Sequence, residues 1–239
     1  MIVDLHKYYK KHHSQYGQDG IIEKIFELIG TTNKYFVEFG SSGTDKDGNT
    51  SYFRQFGFHG LLMDGSDAPY GIPVNKKYDV KIEMVKASNV NDLFYKYNVP
   101  PEFDLLSIDI DGQDFYVWKE LLYNPRVVCI EVNYLLKAGI DGVMRYNENS
   151  VWDGSVRHGS TITAMKKLGN MKGYDLVYLC GSDAIFIRKD LLIDKDFLIA
   201  NRNDEFILEY NNFENIGFNY INDYSRNFML DNWCVTSNL

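Results

Sequence analysis

Acids placed directly after apolar runs are the groups in this chain best suited to chemistry. Tyr35-Phe36-Val37-Glu38-Phe39-Gly40-Ser41-Ser42-Gly43 reads as a buried strand delivering a carboxylate to a Gly-x-x-Gly turn. Glycine lets backbone approach backbone or ligand closely, and the acid accepts hydrogen bonds from a hydroxyl or an ammonium. The run Gly60 to Met63 leads into Asp64-Gly65-Ser66. An acid about twenty residues past a glycine loop is placed for ribose hydroxyls, with a turn or cap role as the plain alternative. Further on, Asp109 and Asp111 follow the run Phe103 to Ile108, and Glu131 and Asn133 close the run Val127 to Val132. Alternation puts the members of each i, i+2 pair on one side. Carboxylates crowded this way repel unless protons or a cation intervene. A hard divalent ion such as Mg²⁺, with carboxylate, amide and water ligands, resolves that conflict. N-caps at Asp111 and Asp114, or hydrogen bonds to a cofactor amine, are the alternatives.

Histidine is the default general base near neutral pH. His158 lies in the glycine-rich stretch Trp152 to Ser160, after the fifth apolar run. Long loops at the ligand end of a sheet commonly cover substrate, which makes His158 a candidate base. His6, His12 and His13 sit in a polar N-terminus and read as surface residues, and His59 as structural.

These residues need a scaffold, and the rest of the chain describes one. Apolar residues at 21, 22, 25, 26 and 29 predict a helix, with Asp19 as N-cap and Gly30 as stop. Short apolar runs follow at Tyr35 to Phe39, Gly60 to Met63, Val80 to Val85, Phe103 to Ile108 and Val127 to Val132. Helical patterns at Val90 to Tyr97 and Phe115 to Leu122 separate the later ones. Such alternation predicts an α/β fold with a parallel sheet covered on both faces. A further helix, Thr161 to Leu168, precedes two strands, Asp175 to Leu179 and Ala184 to Ile187. A turn that short makes them antiparallel. A mostly parallel doubly wound sheet ending in an antiparallel hairpin is the Rossmann-like topology of class I S-adenosylmethionine-dependent methyltransferases.

With 239 residues, 45% hydrophobic and 15% aromatic, the chain is expected to form one domain. Residues 1–30 would be an N-terminal helical segment and 190–239 a packed C-terminal appendage. A net charge of -8 argues against nucleic acid as a partner. Cys129, Cys180 and Cys234 are scattered and odd in number, so neither a zinc knuckle nor a disulfide framework is expected. No apolar run has membrane-spanning length. A soluble, cytoplasmic protein is the expectation, in the host cytoplasm if the source is viral. Oligomeric state is left open.

Several segments together resemble the FkbM-type family of S-adenosylmethionine-dependent methyltransferases, in particular a branch found in bacteria and large viruses. They are Ser14 to Gly20, Phe36 to Gly40, Gly48-Asn49-Thr50, Gly60 to Ser66, Leu106 to Asp114, Pro125 to Asn133 and Gly173 to Val177. The resemblance covers about residues 14 to 188 and implies O-methylation, often of sugars or other small molecules. It carries cofactor contacts onto Glu38, Gly40 and Asp64, and further onto Gln15, Asp19 and Thr50. The adjoining Ser41, Gly65 and Ser66, together with Asp109, complete the expected cofactor site. Related sugar O-methyltransferases hold a divalent ion, Mg²⁺ or Mn²⁺, at positions matching Asp109, Asp111, Glu131 and Asn133. Asp109 and His158 are the candidate catalytic residues, acting on a small-molecule or glycan acceptor. Two positions depart from the pattern: Ser107 replaces a common lysine, and Arg157-His158-Gly159-Ser160-Thr161 replaces a Gly-Ala-Ser loop.

Two other readings compete. An NAD-dependent nucleotide-sugar oxidoreductase needs a Gly-x-Gly-x-x-Gly loop, and the hairpin disfavours it. A non-catalytic binding module that keeps the fold is disfavoured by acids at so many strand ends.

Overall fold

A computed structural model describes residues 1–41, 48–68, 78–134, 136, 139–150, 152 and 158–199, and the backbone of 233–234. A two-residue strand, β1 (Ile2–Val3), leads to the first helix, α1 (Gln18–Ile29). Ile21, Ile22, Ile25, Phe26 and Ile29 are buried on one side of α1, as their spacing predicts. Gly30 ends the helix with a φ of 71°, donating its N–H to the Phe26 carbonyl. The N-cap differs from expectation, because Gly17 occupies it and Asp19 lies in the first turn. The Asp19 carboxylate instead turns back to accept the backbone N–H groups of His12, His13 and Ser14.

The chain then builds β2 (Tyr35–Phe39), β3 (His59–Asp64), β4 (Lys81–Ile82), α2 (Val90–Lys96) and β5 (Glu102–Ile108). It continues through α3 (Asp114–Glu120), β6 (Asn124–Glu131), β7 (Val143–Met144) and α4 (Ile162–Met171) to the hairpin β8 (Tyr174–Cys180) and β9 (Asp183–Arg188). The main sheet has the order β4-β3-β2-β5-β6-β9-β8. β4, β3, β2, β5 and β6 pair in parallel, whereas β9 runs antiparallel to both β6 and β8. This is the Rossmann-like, doubly wound sheet with a terminal antiparallel hairpin. Its strand order reverses between β2 and β5, where open α/β sheets bind ligands.

The run Val80 to Val85 keeps only Lys81 and Ile82 in strand form, and among the described residues β4 is an edge strand paired with β3. Lys81 and Glu83 are half-buried while Ile82 and Met84 are exposed, so an apolar run here did not mean a central strand. Of the expected appendage, β10 (Leu198–Ile199) pairs with β1 and β11 (Trp233–Cys234) with β7. The rest of it lies outside the described residues.

Alternation divides the sheet into two cores. Val37, Phe39, Leu106, Ile108, Val128, Ile130 and Phe186 pack against α2, α3 and α4, with Trp118 fully buried. Phe36, Leu105, Val127, Cys129, Ile185 and Ile187 face α1 and the turn of 3-10 helix Ser51–Phe56. At the amino edge, buried Asp104 accepts the N–H groups of Thr32 and Lys34 and lies 3.0 Å from Arg126 Nε. The latter contact is an ion pair without hydrogen-bond alignment. Arg126 Nη2 donates to the carbonyls of Ile29 and Gly30, which fastens the end of α1 to the sheet. Cys129 and Cys180 are both buried free thiols. Among the described residues, no helix is long and apolar enough to cross a membrane.

Candidate active site

The strand residues facing α1 set the location of the acids. Two positions beyond Phe36, Leu105 and Cys129, at the carboxyl edge, stand Glu38, Ser107 and Glu131, all on one face. Asp183 begins β9 directly opposite Glu131. The crevice between β2 and β5 is exceptionally tight at its base. Gly40 has a φ of 69°, and a Cβ there would lie 1.8 Å from the Asp109 carbonyl oxygen. Only glycine satisfies both constraints. Its companion Gly43 lies outside the described residues.

Glu38 is buried and occupied by its own loop. Its Oε1 accepts the Asn49 N–H at 2.7 Å, and its Oε2 accepts the hydroxyls of Thr50 at 2.6 Å and Ser41 at 3.4 Å. Burial raises its pKa. The Thr50 hydroxyl, the Asn49 N–H and the charge of Arg54 only partly oppose that shift. Thr50 and Ser41 therefore belong to the site as holders of Glu38. Asp64, at the end of β3, accepts the Ser66 N–H at 2.9 Å, and Ser66 Oγ accepts from Ala68. Burial, opposed by the Ser66 N–H and joined by the negative charge of Asp111, raises the Asp64 pKa. Asp64 ends β3 beside β2, and Asp111 lies in the loop that follows β5. Gly65 lies under Met84, whose Cε would meet a Cβ at 2.9 Å.

Asp109, Asp111 and Glu131 each offer a carboxylate oxygen within 4.8 Å of the other two. Asp109 and Asp111 reach this grouping from the loop after β5, which stops at Ile108, whereas Glu131 is the last residue of β6. Asp111 adopts a left-handed φ of 57°. Asp114 stabilises that turn, with its two oxygens accepting the N–H groups of Ile110 and Gly112 at 2.9 Å each. Neither Asp111 nor Asp114 is the N-cap of α3, which is Gln113. Burial, then the charges of Asp183, Asp114 and Asp111, hold the Asp109 carboxyl well above its usual range. Burial and then Asp109 do the same to Glu131, whose Oε2 is buried without a hydrogen-bond partner. Three crowded acids with an orphaned oxygen fit a divalent cation of the Mg²⁺ or Mn²⁺ kind.

Asn133 is buried, and its amide nitrogen and backbone N–H both engage the segment that carries His158. Its Nδ2 donates to the His158 carbonyl at 2.9 Å and its backbone N–H to the Ser160 carbonyl at 2.8 Å. It thereby draws the 158–160 segment over the acids. The His158 ring is buried, lies beside the partly exposed Trp152 at 5.6 Å between centroids, and has its pKa lowered by burial against the pull of Asp111. Two expected cofactor residues lie differently. Gln15 is exposed, and Asp19 is committed to backbone N–H groups as described above.

The sequence reading did not single out Gln18, Asn49 or Asp183 as site residues, yet they form the floor beneath the acids. Gln18 Nε2 donates to Asp183 Oδ2 at 2.5 Å. Asn49 Nδ2 lies within reach of Asp183 Oδ2 at 3.4 Å, Ser107 Oγ at 3.1 Å and Cys129 Sγ at 3.5 Å. Asn49 thus meets Ser107 near the end of β5. The Tyr16 ring packs on Gly181, so the Ser14 to Gly20 motif lies against the β8–β9 turn. Gln18 and Asn49 stood inside matching segments, a signal that could have found them. Asp183 read only as a turn residue.

No family model and no curated protein matches the chain. Among solved structures it is similar to the N-terminal domain of EvdMO1 crystallised with SAH bound, at 12% identity and a TM-score of 0.43, over 73% of this chain and 80% of that one. It is also similar to the same domain in the presence of SAH and D-fucose, at 11% identity and a TM-score of 0.44, over 75% and 84%. The fold assignment rests on strand order and direction.

Proposed function

We propose that the protein is an S-adenosylmethionine-dependent O-methyltransferase acting on a hydroxyl of a sugar or glycan, assisted by a divalent ion. The observation that carries this reading is the convergence of Gly40, Asp64 and the Asp109–Asp111–Glu131 cluster at one switch-point crevice. The acceptor class follows from the resemblance in sequence. Methyl transfer from a sulfonium is an in-line displacement in which the carbon–sulfur bond breaks as the carbon–oxygen bond forms. The protein's main task is to align the acceptor oxygen with the methyl carbon.

In this reading Asp64 accepts the ribose hydroxyls, and Gly40 leaves room for the cofactor beside Asp109. Asp109, Asp111 and Glu131 would hold the metal, with Asn133 setting the 158–160 segment beside them. A bound divalent ion lowers the pKa of a coordinated hydroxyl. His158, kept neutral by burial, is suited to receive the hydroxyl proton near pH 7. Calorimetry of the full chain with S-adenosylhomocysteine, with and without Mn²⁺, tests both halves. Absence of binding removes the cofactor assignment. Methylation that survives exhaustive chelation removes the metal.

A further inference from the structure

We propose that Asp183, with Asn49 beside it, holds the α-ammonium of the cofactor, in place of Glu38, which the sequence offers to a hydroxyl or an ammonium. This inference rests on the cofactor reading above. Glu38 has little capacity left, because its two oxygens already accept three hydrogen bonds from Asn49, Thr50 and Ser41. A carboxylate offers about four acceptor positions. Those three bonds close the loop that leads from β2 to the Ser51–Phe56 turn, which makes Glu38 a loop anchor.

Asp183 is in the opposite condition. It is 3% exposed, and its Oδ2 accepts from Gln18 and Asn49. Its Oδ1 is buried with no hydrogen-bond partner, and so is Asn49 Oδ1. The orientation of the Asn49 amide is set by its neighbours, since the nitrogen must face the Asp183 carboxylate. The Cys129 thiol, a weak donor, also stands against the Asp183 carboxyl, but no nitrogen or hydroxyl donor meets Asp183 Oδ1 or Asn49 Oδ1. Asp109 and Glu131 stand close enough for their charges to interact with Asp183, so a cationic donor satisfies the hydrogen bonds and the electrostatics together. Among the described residues, the acids placed to share a metal are Asp109, Asp111 and Glu131, without Asp183. A second cation fits, and an ammonium carries both the charge and the N–H groups.

The substitution Asp183→Asn isolates this role. Its amide oxygen can still accept from Gln18 and Asn49, while its NH₂ replaces the orphaned oxygen. Calorimetry on the full chain would compare S-adenosylhomocysteine with 5′-methylthioadenosine, which lacks the amino-acid end. Asp183→Asn is expected to weaken S-adenosylhomocysteine about tenfold or more and to leave 5′-methylthioadenosine unchanged. Unchanged S-adenosylhomocysteine affinity overturns the proposal, as does equal weakening of both ligands, which marks a structural effect. If the unaltered chain binds neither ligand, the cofactor reading itself falls and the ammonium role with it. Should the variant fail to fold, a crystal structure of the unaltered chain with S-adenosylhomocysteine decides. An amine within about 3.2 Å of Asp183 Oδ1 supports the assignment, and an amine on Glu38 overturns it.

Discussion

Gly40 and Asp109 touch through their backbones, with the Asp109 carbonyl oxygen standing where a side chain at residue 40 would begin. The contact ties the glycine turn after β2 to the acidic loop after β5. Gly40→Ala must therefore displace one of them and hold alanine at a left-handed φ. We expect a loss of about 1–3 kcal/mol in denaturant unfolding, together with a marked fall in S-adenosylhomocysteine affinity. Unaltered affinity would show that the two loops do not shape the cofactor crevice.

Burial, partly opposed by hydrogen bonds, pushes Asp114 and Asp183 up to about 6. Their folded pKa values lie above the ordinary carboxylate value, so the folded state binds more protons between about pH 4 and pH 6. The stability they contribute is fully present below that window and is lost as pH rises through about 6. In chelator, the unfolding free energy should fall between pH 4.5 and pH 7, by roughly 2 kcal/mol for each of the two carboxyls. A rising profile over that range would contradict the account of the acid cluster.

Glu131→Gln separates stability from metal binding. It removes one charge from the crowded cluster, so the metal-free protein should become more stable at pH 7 by about 1 kcal/mol. The same change should abolish most of the thermal stabilisation given by Mn²⁺. A variant that melts lower in chelator and still responds fully to Mn²⁺ would exclude Glu131 as a ligand.

His158→Gln tests proton removal. The turnover number should drop by about 10²- to 10⁴-fold while S-adenosylhomocysteine affinity stays the same. Because burial lowers the His158 pKa, the acid limb of the rate profile should lie below about pH 6.5 in the unaltered protein and vanish in the variant. An acid limb that persists would assign the base elsewhere, with Asp109 the next candidate.

Asp104→Ala serves as a contrast at the opposite edge of the sheet. It leaves Arg126 buried beside an empty position and frees the N–H groups of Thr32 and Lys34. Breaking a buried pair in this way costs about 3–5 kcal/mol. Whatever fraction remains folded should bind S-adenosylhomocysteine normally. A selective loss of binding without loss of stability would be the unexpected result.

The sequence by itself determined the sheet. Apolar runs such as Phe36–Phe39, Phe103–Ile108 and Val127–Ile130 are buried on both faces, and continuous apolar runs signal that burial locally. The short turn between β8 and β9 was equally local, and it fixed the antiparallel end. The edge strand β4 was less legible, because an apolar run does not report how many neighbours a strand has. Acids after strands were visible too, but their assignments were not. Glu38 and Asp19 look available in sequence. Only the tertiary structure shows their oxygens taken up by Thr50, Asn49 and Ser41, and by His12, His13 and Ser14. Asp183 looks like a turn residue until β9 inserts next to β6 and sets it against Glu131, 52 positions earlier in the chain. Whether a buried acid is satisfied or orphaned depends on donors brought from distant segments, and that accounting exists only in three dimensions.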